Sequence, residues 1–302
     1  KLVEDYYSSY DYRNLREESK AQYKYFLNVM MNTVVEGKPL CRYDYKQLPT
    51  RIAKVAYNDW CEKGIYMANH ILSCTRIVFN HGLRMELCVT NPFANIRRRG
   101  AERRKTVWSR EDVRKLLDAA YGDFSTRNIG LIAHMAYEWC QRLGDMRLLT
   151  WDSIDFDTQT VHIEQSKRHA DVHLPISDDL FEMLQQQEQD FGFQQYVAPR
   201  PHSIRGQYKP YTLHNLPLYG RKLMEQAGLS SELRLSDLRR TGTTEMVEAG
   251  VGMAQIMSVT GHANPSSVKP YLKNTLSSAN NALTARKIHG KSITSAAKES
   301  DI

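Results

Sequence analysis

The stretch LSDLRRTGTTEMVEAGVGMAQIMSVTGHANPSSVKPY, residues 235–271, holds two helical patterns that each end at a glycine. We predict helices over 236–249 and 252–259, with Gly250 and Gly261 as their terminators. Glycine suits both ends because it readily takes the left-handed conformation that closes a helix. The stretch is therefore the helical C-terminal part of a folded domain.

The end of this stretch presents Tyr271 on an irregular segment. Asn264 and Pro265 begin a turn and short helix, and Pro270 directly precedes the tyrosine. Proline disfavours helical geometry at the residue before it and removes a backbone donor. The segment is therefore either kinked at Pro270 or begins its next helical turn there.

Towards the N-terminus, the same half of the chain mixes helices with one hairpin. Ser109 and Asp112 form a capping box that opens a helix, so a new domain begins near Thr106. Apolar residues alternate over 160–177, which predicts a hairpin with Lys167 near its turn. The remaining patterns predict helices over 129–149, 178–190 and 212–227.

The first hundred residues predict a small all-helical domain. Apolar residues recur at helical spacing over 16–36, over 48–63 and again from Met67 to Val78. An Asn-Pro turn at 90–93 ends the third helix. The predicted fold class is mainly α, with a small antiparallel β-sheet in the C-terminal domain.

A basic run, RRRGAERRK at 97–105, separates the two domains and carries six basic side chains and one acidic. Such a run is either a solvated linker or a segment that follows a phosphate backbone. The candidate DNA-binding residues are Arg97, Arg98, Arg99, Arg103, Arg104 and Lys105.

The composition argues against several classes of protein. The 302 residues carry a net charge of +7, which suits a polyanionic partner. The chain has neither the roughly 20 apolar residues of a membrane span nor a signal peptide at its start, so we expect a cytoplasmic protein. Its five cysteines are odd in number and form no CxxC pair, which favours reduced core residues. P-loop, GxGxxG, HExxH and GxSxG patterns do not occur, which argues against the common nucleotide-binding, zinc-protease and serine-hydrolase chemistries.

Several residues of the C-terminal half could carry chemistry, and each has an ordinary explanation when taken alone. An arginine in an apolar helix usually pairs with an acid one turn on, and a hairpin lysine is usually solvated. A histidine after a glycine could cap a helix, and a tyrosine could be a half-buried aromatic. Only the ordered combination is improbable by chance: Arg142, Asp145, Lys167, Arg239, His262 and Tyr271.

This combination resembles the tyrosine recombinase, or phage integrase, family. The family pattern runs from an arginine with an acid three positions on, through a hairpin lysine, HxxR and GH, to a tyrosine nine residues after that histidine. The W-x-x-I-D stretch that begins at Trp151, the DLRRT context of Arg239 and the NPF that ends the helical domain also match. The resemblance covers roughly residues 15–275.

The resemblance implies a reaction at a DNA phosphodiester. Tyr271 attacks, which leaves a 3′-phosphotyrosyl link and a free 5′ hydroxyl. Arg142 and Arg239 neutralise the charge that builds on the phosphate, and His262 is a further donor. Guanidiniums suit this task because each can donate two parallel hydrogen bonds to phosphate oxygens.

The resemblance also assigns two supporting residues. Lys167 is the general acid for the leaving 5′ oxygen, and Asp145 orients Arg142 without touching substrate. The phosphotyrosyl link conserves the energy of the phosphodiester, so a 5′ hydroxyl from another strand can reverse it. We therefore expect no metal and no other cofactor.

One position departs from the family pattern. The histidine of HxxR is replaced by Ser236, while the aspartate, leucine and arginine that follow stay in register. A serine hydroxyl can hydrogen-bond a phosphate oxygen or the tyrosine, but it cannot exchange a proton near neutral pH as imidazole does. The proton of Tyr271 could therefore pass to His262 or to water, or its loss could be assisted by the cationic pocket.

The family's architecture implies a two-domain clamp on DNA. It consists of a helical core-binding (SAM-like) domain at 1–96, a linker at 97–105, a catalytic domain at 106–275 and a tail at 276–302. Members act as homo-tetramers on two attachment sites and exchange strands through a Holliday junction, with or without accessory DNA-bending or directionality proteins. The inter-subunit contact is expected at 276–286. Many phage integrases carry an arm-site domain ahead of the helical one; here we expect it to be absent or removed, because the sequence starts directly before the helical unit.

Two functional interpretations remain besides a phage or mobile-element integrase. The chain could be a DNA-binding architectural or regulatory protein with a decayed active site, for which Ser236 is the support. It could also be a type IB topoisomerase, which uses similar chemistry without a preferred sequence.

Overall fold

The computed structural model describes residues 1–100, 104–167 and 169–271, together with 279–280, 282–284 and 286–288. The chain divides into two compact units, Lys1–Arg104 and Lys105–Ile302. This division falls inside the predicted linker. Both units are mainly helical, and each holds a small antiparallel sheet.

The first unit is a helical bundle with one short hairpin. Its longest helix, α5, packs against α1, α3 and α4. The core includes Leu27, Ile52, Trp60, Ile71 and Phe93. The elements are α1 (Leu2–Ser8), α2 (Tyr10–Arg13), α3 (Glu17–Asn32), β1 (Val34–Val35), β2 (Lys38–Pro39), a 3-10 turn (Leu40–Arg42), α4 (Thr50–Lys63) and α5 (Ile65–Arg84).

The helix predicted over 16–36 is wrong at its C-terminal end. Helix α3 stops at Asn32, and Val34 is exposed on a strand rather than buried on a helix. Glu36 and Gly37 both have positive φ, 51° and 73°, which is the backbone of a tight two-residue hairpin turn. The turn reverses the chain and pairs β1 with β2, so this unit holds a sheet that the sequence did not predict.

The second unit contains the larger core, a three-stranded sheet and helices. Its elements are α6 (Arg110–Tyr121), α7 (Phe124–Glu138), α8 (Leu143–Met146), a 3-10 turn (Trp151–Ser153), β3 (Ile154–Asp155), β4 (Thr160–Glu164), β5 (Asp171–Pro175), α9 (Asp178–Phe191), α10 (Asn215–Gln226), a 3-10 turn (Leu235–Asp237), α11 (Leu238–Glu248), α12 (Met253–Thr260) and 3-10 turns at Pro265–Ser267 and Lys269–Tyr271.

Several local predictions for this unit are confirmed. The Ser109 hydroxyl accepts a hydrogen bond from the backbone N–H of Asp112 at 3.1 Å, which caps α6. Gly250 and Gly261 have φ of 78° and 67° at the ends of α11 and α12. The predicted hairpin is present as β4 and β5, paired in antiparallel register with Val161 opposite Leu174.

The helix predicted over 129–149 is wrong, because the chain breaks after Glu138. Cys140 has a φ of 51°, and Arg142 has extended backbone as it enters the short helix α8. The apolar pattern runs through the break because Trp139, Cys140 and Met146 are all buried. The short strand β3, which pairs with β4, was not predicted either.

In the described part of the chain, no helix combines the length and apolar character needed to cross a lipid bilayer. Of the predicted contact segment at 276–286, residues 276–278, 281 and 285 lie outside the described residues. Its described pieces have helical backbone and are exposed.

Candidate active site

Arg142 owes its position to the break between α7 and α8. The side-chain amide of Gln141 donates to the carbonyl of Trp139 at 2.8 Å and to that of Val259 at 2.7 Å. The first bond satisfies a carbonyl that α7 would have used if it had continued past Glu138. The second bond anchors the break to α12. The extended backbone at Arg142 then lets its half-buried side chain donate to the Gln165 Oε1 at 2.8 Å.

Arg239 lies on the first turn of α11, beside the same anchors. Its Nη2 donates to the carbonyl of Thr260 at 2.8 Å, and its Nη1 is 3.5 Å from the Gln141 Oε1. Burial, reinforced by the charge of Arg142, lowers the pKa of Arg239 to about 10. Arg239 is therefore still charged at neutral pH, and because the two guanidiniums repel each other, a phosphate between them would relieve that repulsion.

His262 follows Gly261, whose left-handed backbone ends α12. The Thr260 hydroxyl donates to the carbonyl of Ile256, so its oxygen accepts from the imidazole Nδ1 at 2.7 Å. The Arg239 Nη2 is 3.3 Å from the imidazole Nε2. This network assigns the proton of a neutral His262 to Nδ1 and leaves the Nε2 lone pair facing the arginine.

Tyr271 lies at the end of the second of two consecutive 3-10 turns. Its backbone N–H donates to the carbonyl of Val268, which is fully buried and anchors the segment. Pro270 lies inside this second turn, so the segment carries a tight helical turn and not a simple break. The centroid of the half-buried Tyr271 ring lies 6.2 Å from the centroid of the His262 ring. The Arg240 guanidinium lies 5.0 Å from the centroid of the Tyr271 ring.

Asp145 links Arg142 to the turn of the β4–β5 hairpin. Its Oδ2 is 3.6 Å from the Arg142 Nη1 and, within the described residues, accepts no hydrogen bond. Its Oδ1 accepts from both the backbone N–H and the hydroxyl of Ser166. The carboxylate therefore contacts both the arginine and the residue before Lys167.

Lys167 and Ser236 differ in how they relate to this cluster. Lys167 is exposed in the hairpin turn, and among the described contacts none joins it to Arg142 or Tyr271. Ser236 lies in the 3-10 turn before α11 and lines a cavity of about 320 Å³ together with Arg142 and Arg239. The serine hydroxyl is thus in the same cavity as the two guanidiniums.

The sequence interpretation missed three polar residues of the cluster: Gln141, Gln165 and Thr260. All three are fully buried. A signal existed for Gln165, because it continues the inward alternation of Val161 and Ile163 along β4, where an apolar residue is expected. The other two directly precede Arg142 and Gly261, but nothing in their spacing distinguishes them.

The basic run packs partly on the first unit. The Arg98 Nη2 donates to the Ser73 hydroxyl at 2.7 Å, and the Arg99 Nη2 donates to the Asn58 Oδ1 at 3.0 Å. Both partners are neutral, so neither charge is cancelled by these bonds. Arg97 and Lys105 are both exposed, whereas Arg103 lies outside the described residues.

Within the described residues, no group of three or more histidine, cysteine, aspartate or glutamate side chains is placed to hold a metal ion. Besides the Asp145 carboxylate and the buried Gln141, Gln165 and Thr260, the cluster holds two guanidiniums, an imidazole, a phenol and the Ser236 hydroxyl. Such a set can bind a tetrahedral oxyanion and supply an oxygen nucleophile.

A model of the phage integrase family matches residues 107–277, more than half of the chain and the whole of this cluster. The chain belongs to the phage integrase family. It is a tyrosine-type site-specific DNA recombinase. A comparison with curated protein sequences finds no significant match.

Solved structures with the same fold are also integrases. A lambda integrase fragment, as a dimer bound to a COC′ core site, superposes with a TM-score of 0.74 at 17% identity, covering 91% of this integrase and 95% of that chain. A lambda integrase tetramer bound to a Holliday junction gives 0.72 at 18%, covering 90% and 76%. The Tn1549 transposon integrase with circular intermediate DNA gives 0.72 at 15%, covering 93% and 97%. At these identities the likeness shows the fold.

Proposed function

We propose that this integrase cleaves DNA by attack of the Tyr271 hydroxyl on a phosphorus held between Arg142 and Arg239. The phosphorus–oxygen bond to the 5′ side breaks, a 3′-phosphotyrosyl bond forms, and the 5′ oxygen leaves as a hydroxyl. The observation that carries this proposal is the convergence of both guanidiniums, His262 and Tyr271, which come from four separate segments. The charge of Arg142 lowers the pKa of Arg239, although the Asp145 carboxylate lies 3.6 Å from the Arg142 guanidinium, so a phosphate anion that contacts both arginines would be bound favourably.

The proton of Tyr271 needs an acceptor. The neutral His262 presents a lone pair at Nε2, but Arg239 donates towards it in the free protein. When a phosphate engages Arg239, that lone pair becomes able to accept a proton. Water, or assistance from the cationic pocket, remains the alternative, and Ser236 can hydrogen-bond the phosphate or the phenol.

Lys167 is our candidate for the general acid that protonates the leaving oxygen. Its exposed turn is tied to Asp145 through Ser166, so the lysine is attached close to Arg142 by a short connection. Asp145 is proposed to orient Arg142. Arg97, Arg98, Arg99, Arg103, Arg104 and Lys105 are proposed to contact the DNA backbone.

The reaction conserves one phosphodiester bond at every step, so a second DNA strand can rejoin without an external energy source. We propose strand exchange between two attachment sites by a homo-tetramer through a Holliday junction. The lambda integrase tetramer on a Holliday junction supports this proposal. The place of action would be the host-cell cytoplasm, with or without accessory DNA-bending proteins.

The test uses a pool of nicked DNA duplexes with a randomised core. When cleavage falls a few nucleotides from the nick, the short fragment diffuses away and the covalent adduct is trapped. We expect an SDS-resistant protein–DNA adduct whose recovered DNA has a preferred sequence. Tyr271→Phe removes only the hydroxyl and should abolish the adduct while DNA binding persists.

The outcomes separate the three interpretations. An adduct without any preferred sequence would favour a type IB topoisomerase. DNA binding with no adduct from the unchanged protein would favour a binding protein with a decayed site. Persistence of the adduct in Tyr271→Phe would overturn the assignment of the nucleophile.

A further inference from the structure

Gln165 is fully buried directly after β4, and its side chain makes three hydrogen bonds within the described residues. Its Oε1 accepts from the Arg142 Nη1 at 2.8 Å. Its Nε2 donates to the Gln141 Oε1 at 2.7 Å and to the carbonyl of Thr260 at 2.8 Å. We propose that Gln165 is a positioning residue that fixes the phosphate-binding groups relative to one another, an inference that rests on the proposed function.

The bonds fix which way the amide faces. A flipped amide would place its NH₂ against the guanidinium of Arg142 and its oxygen against two acceptors. Each of these contacts would be repulsive, and no water is needed to satisfy the observed orientation. The oxygen therefore points at Arg142 and holds that guanidinium in one direction.

Gln165 shares both of its acceptors with Arg239. The Arg239 Nη2 also donates to the Thr260 carbonyl, and the Arg239 Nη1 approaches the Gln141 Oε1. One amide thus connects Arg142 directly and Arg239 through two common acceptors. The two arginines come from different elements, and Gln165 sets their separation.

The same network reaches the imidazole. Thr260, whose carbonyl accepts from Gln165, holds the His262 Nδ1 through its hydroxyl. Gly261 packs so closely that a Cβ there would lie 2.3 Å from the Gln165 Nε2. The amide is therefore clamped against the backbone that presents His262.

Neutral polarity at this position follows from the chemistry. A carboxylate would keep an acceptor for Arg142 but would place its second oxygen against the Gln141 and Thr260 oxygens. It would also bring a negative charge into the pocket where phosphate must bind. An apolar residue would remove one hydrogen-bond donor from the Gln141 Oε1 and one from the Thr260 carbonyl. It would also remove the acceptor that holds the Arg142 guanidinium.

The test compares Gln165→Met and Gln165→Glu with a matched control, Gln187→Met. Gln187 is equally buried in the same unit, and its Nε2 donates to the Asn128 Oδ1 and the Val197 carbonyl, away from the cluster. The substrate is a nicked duplex carrying the sequence recovered from the randomised pool. Single-turnover cleavage is measured over a range of protein concentrations, and thermal unfolding monitors folding.

We expect both Gln165 variants to lower the cleavage rate at saturation by about 100-fold, because small displacements of positioning groups have effects of that size. The protein concentration at half-maximal rate should change by less than about 3-fold, because most of the affinity for DNA comes from contacts with the phosphate backbone outside the active site. Gln187→Met should lower the unfolding temperature without lowering the saturating rate of the folded protein.

Three results would overturn the proposal: no loss of rate, a parallel loss of DNA affinity and rate, or an equal rate loss in Gln187→Met. If Gln165→Met fails to fold, the nearly isosteric Gln165→Glu carries the same comparison. Adduct formation by the unchanged protein is measured before any variant. If the unchanged protein forms no adduct, the proposed function fails and the role of Gln165 is not the cause.

Discussion

At the scale of single residues, the structure accounts for the glycine that precedes His262. Gly261 has left-handed backbone, which costs an L-residue about 1–2 kcal/mol, and it also contacts the Gln165 amide too closely for a Cβ. Gly250 has the same backbone conformation at the end of α11 with nothing within 4 Å of an added Cβ. A substitution at Gly250 therefore adds backbone strain alone, whereas one at Gly261 adds both backbone strain and a steric clash.

Gly250→Ala should destabilise the protein by about 1–2 kcal/mol and leave DNA cleavage unchanged, since only strain is added. Gly261→Ala should destabilise it more and also reduce cleavage, because the new Cβ displaces the Gln165 amide. Urea unfolding and single-turnover cleavage of both variants check this. Equal destabilisation of the two would mean that the Gln165 contact has no energetic weight.

At the scale of elements, the hairpin of β4 and β5 contributes two different side chains to the site region. Gln165 points into the cluster, whereas Lys167 stays exposed at the turn, and Ser166 between them contacts Asp145. The buried residues of both strands fix the register, so the position of the turn follows from packing in the core.

If Lys167 is the general acid, its effect should depend on the leaving atom. Lys167→Ala should slow cleavage of ordinary DNA by about 100-fold or more. With sulfur in place of the bridging 5′ oxygen, the leaving thiolate needs no proton, so most of that loss should disappear. Lys115→Ala, an exposed lysine on α6, is the control. An equal loss on both substrates would assign Lys167 another role.

The elements also show what the sequence could and could not predict. The helix start at Ser109 and the helix ends at Gly250 and Gly261 were predicted well, because those signals are local, whereas Gly37 proved to lie in a hairpin turn and not at a helix end. The break after Glu138 was missed because the bond that stabilises it runs from Gln141 to Val259, far along the chain. The spacing pattern named the arginines, histidine and tyrosine that converge, but buried glutamines are missed since glutamine is usually a surface residue.

At the scale of the whole molecule, the arginines differ in whether a carboxylate offsets their charge. Arg98 and Arg99 are held by neutral partners on the first unit, whereas Arg51 is paired with Glu36. A charge already paired with a carboxylate releases few counterions on DNA binding, so the two kinds of arginine should differ in their contribution to affinity.

Arg99→Gln should weaken DNA binding and reduce the slope of log affinity against log salt by about 0.9, the value for one lost phosphate contact. Arg51→Gln should leave the slope unchanged. Titrations of a labelled duplex between about 50 and 200 mM salt measure both. The same slope for Arg99→Gln as for the unchanged protein would remove this arginine from the DNA interface.

The fold of the second unit joins its beginning to a segment more than 120 residues further along the chain. The backbone N–H of Trp108 donates to the Thr241 hydroxyl, and the Trp108 indole donates to the carbonyl of Arg234. During synthesis, α6 must therefore wait for α11 to leave the ribosome before either is fully packed, and Tyr271 emerges later still. If Tyr271 is the nucleophile, as proposed, a nascent chain that ends before residue 271 is unable to nick the DNA of the cell that produces it.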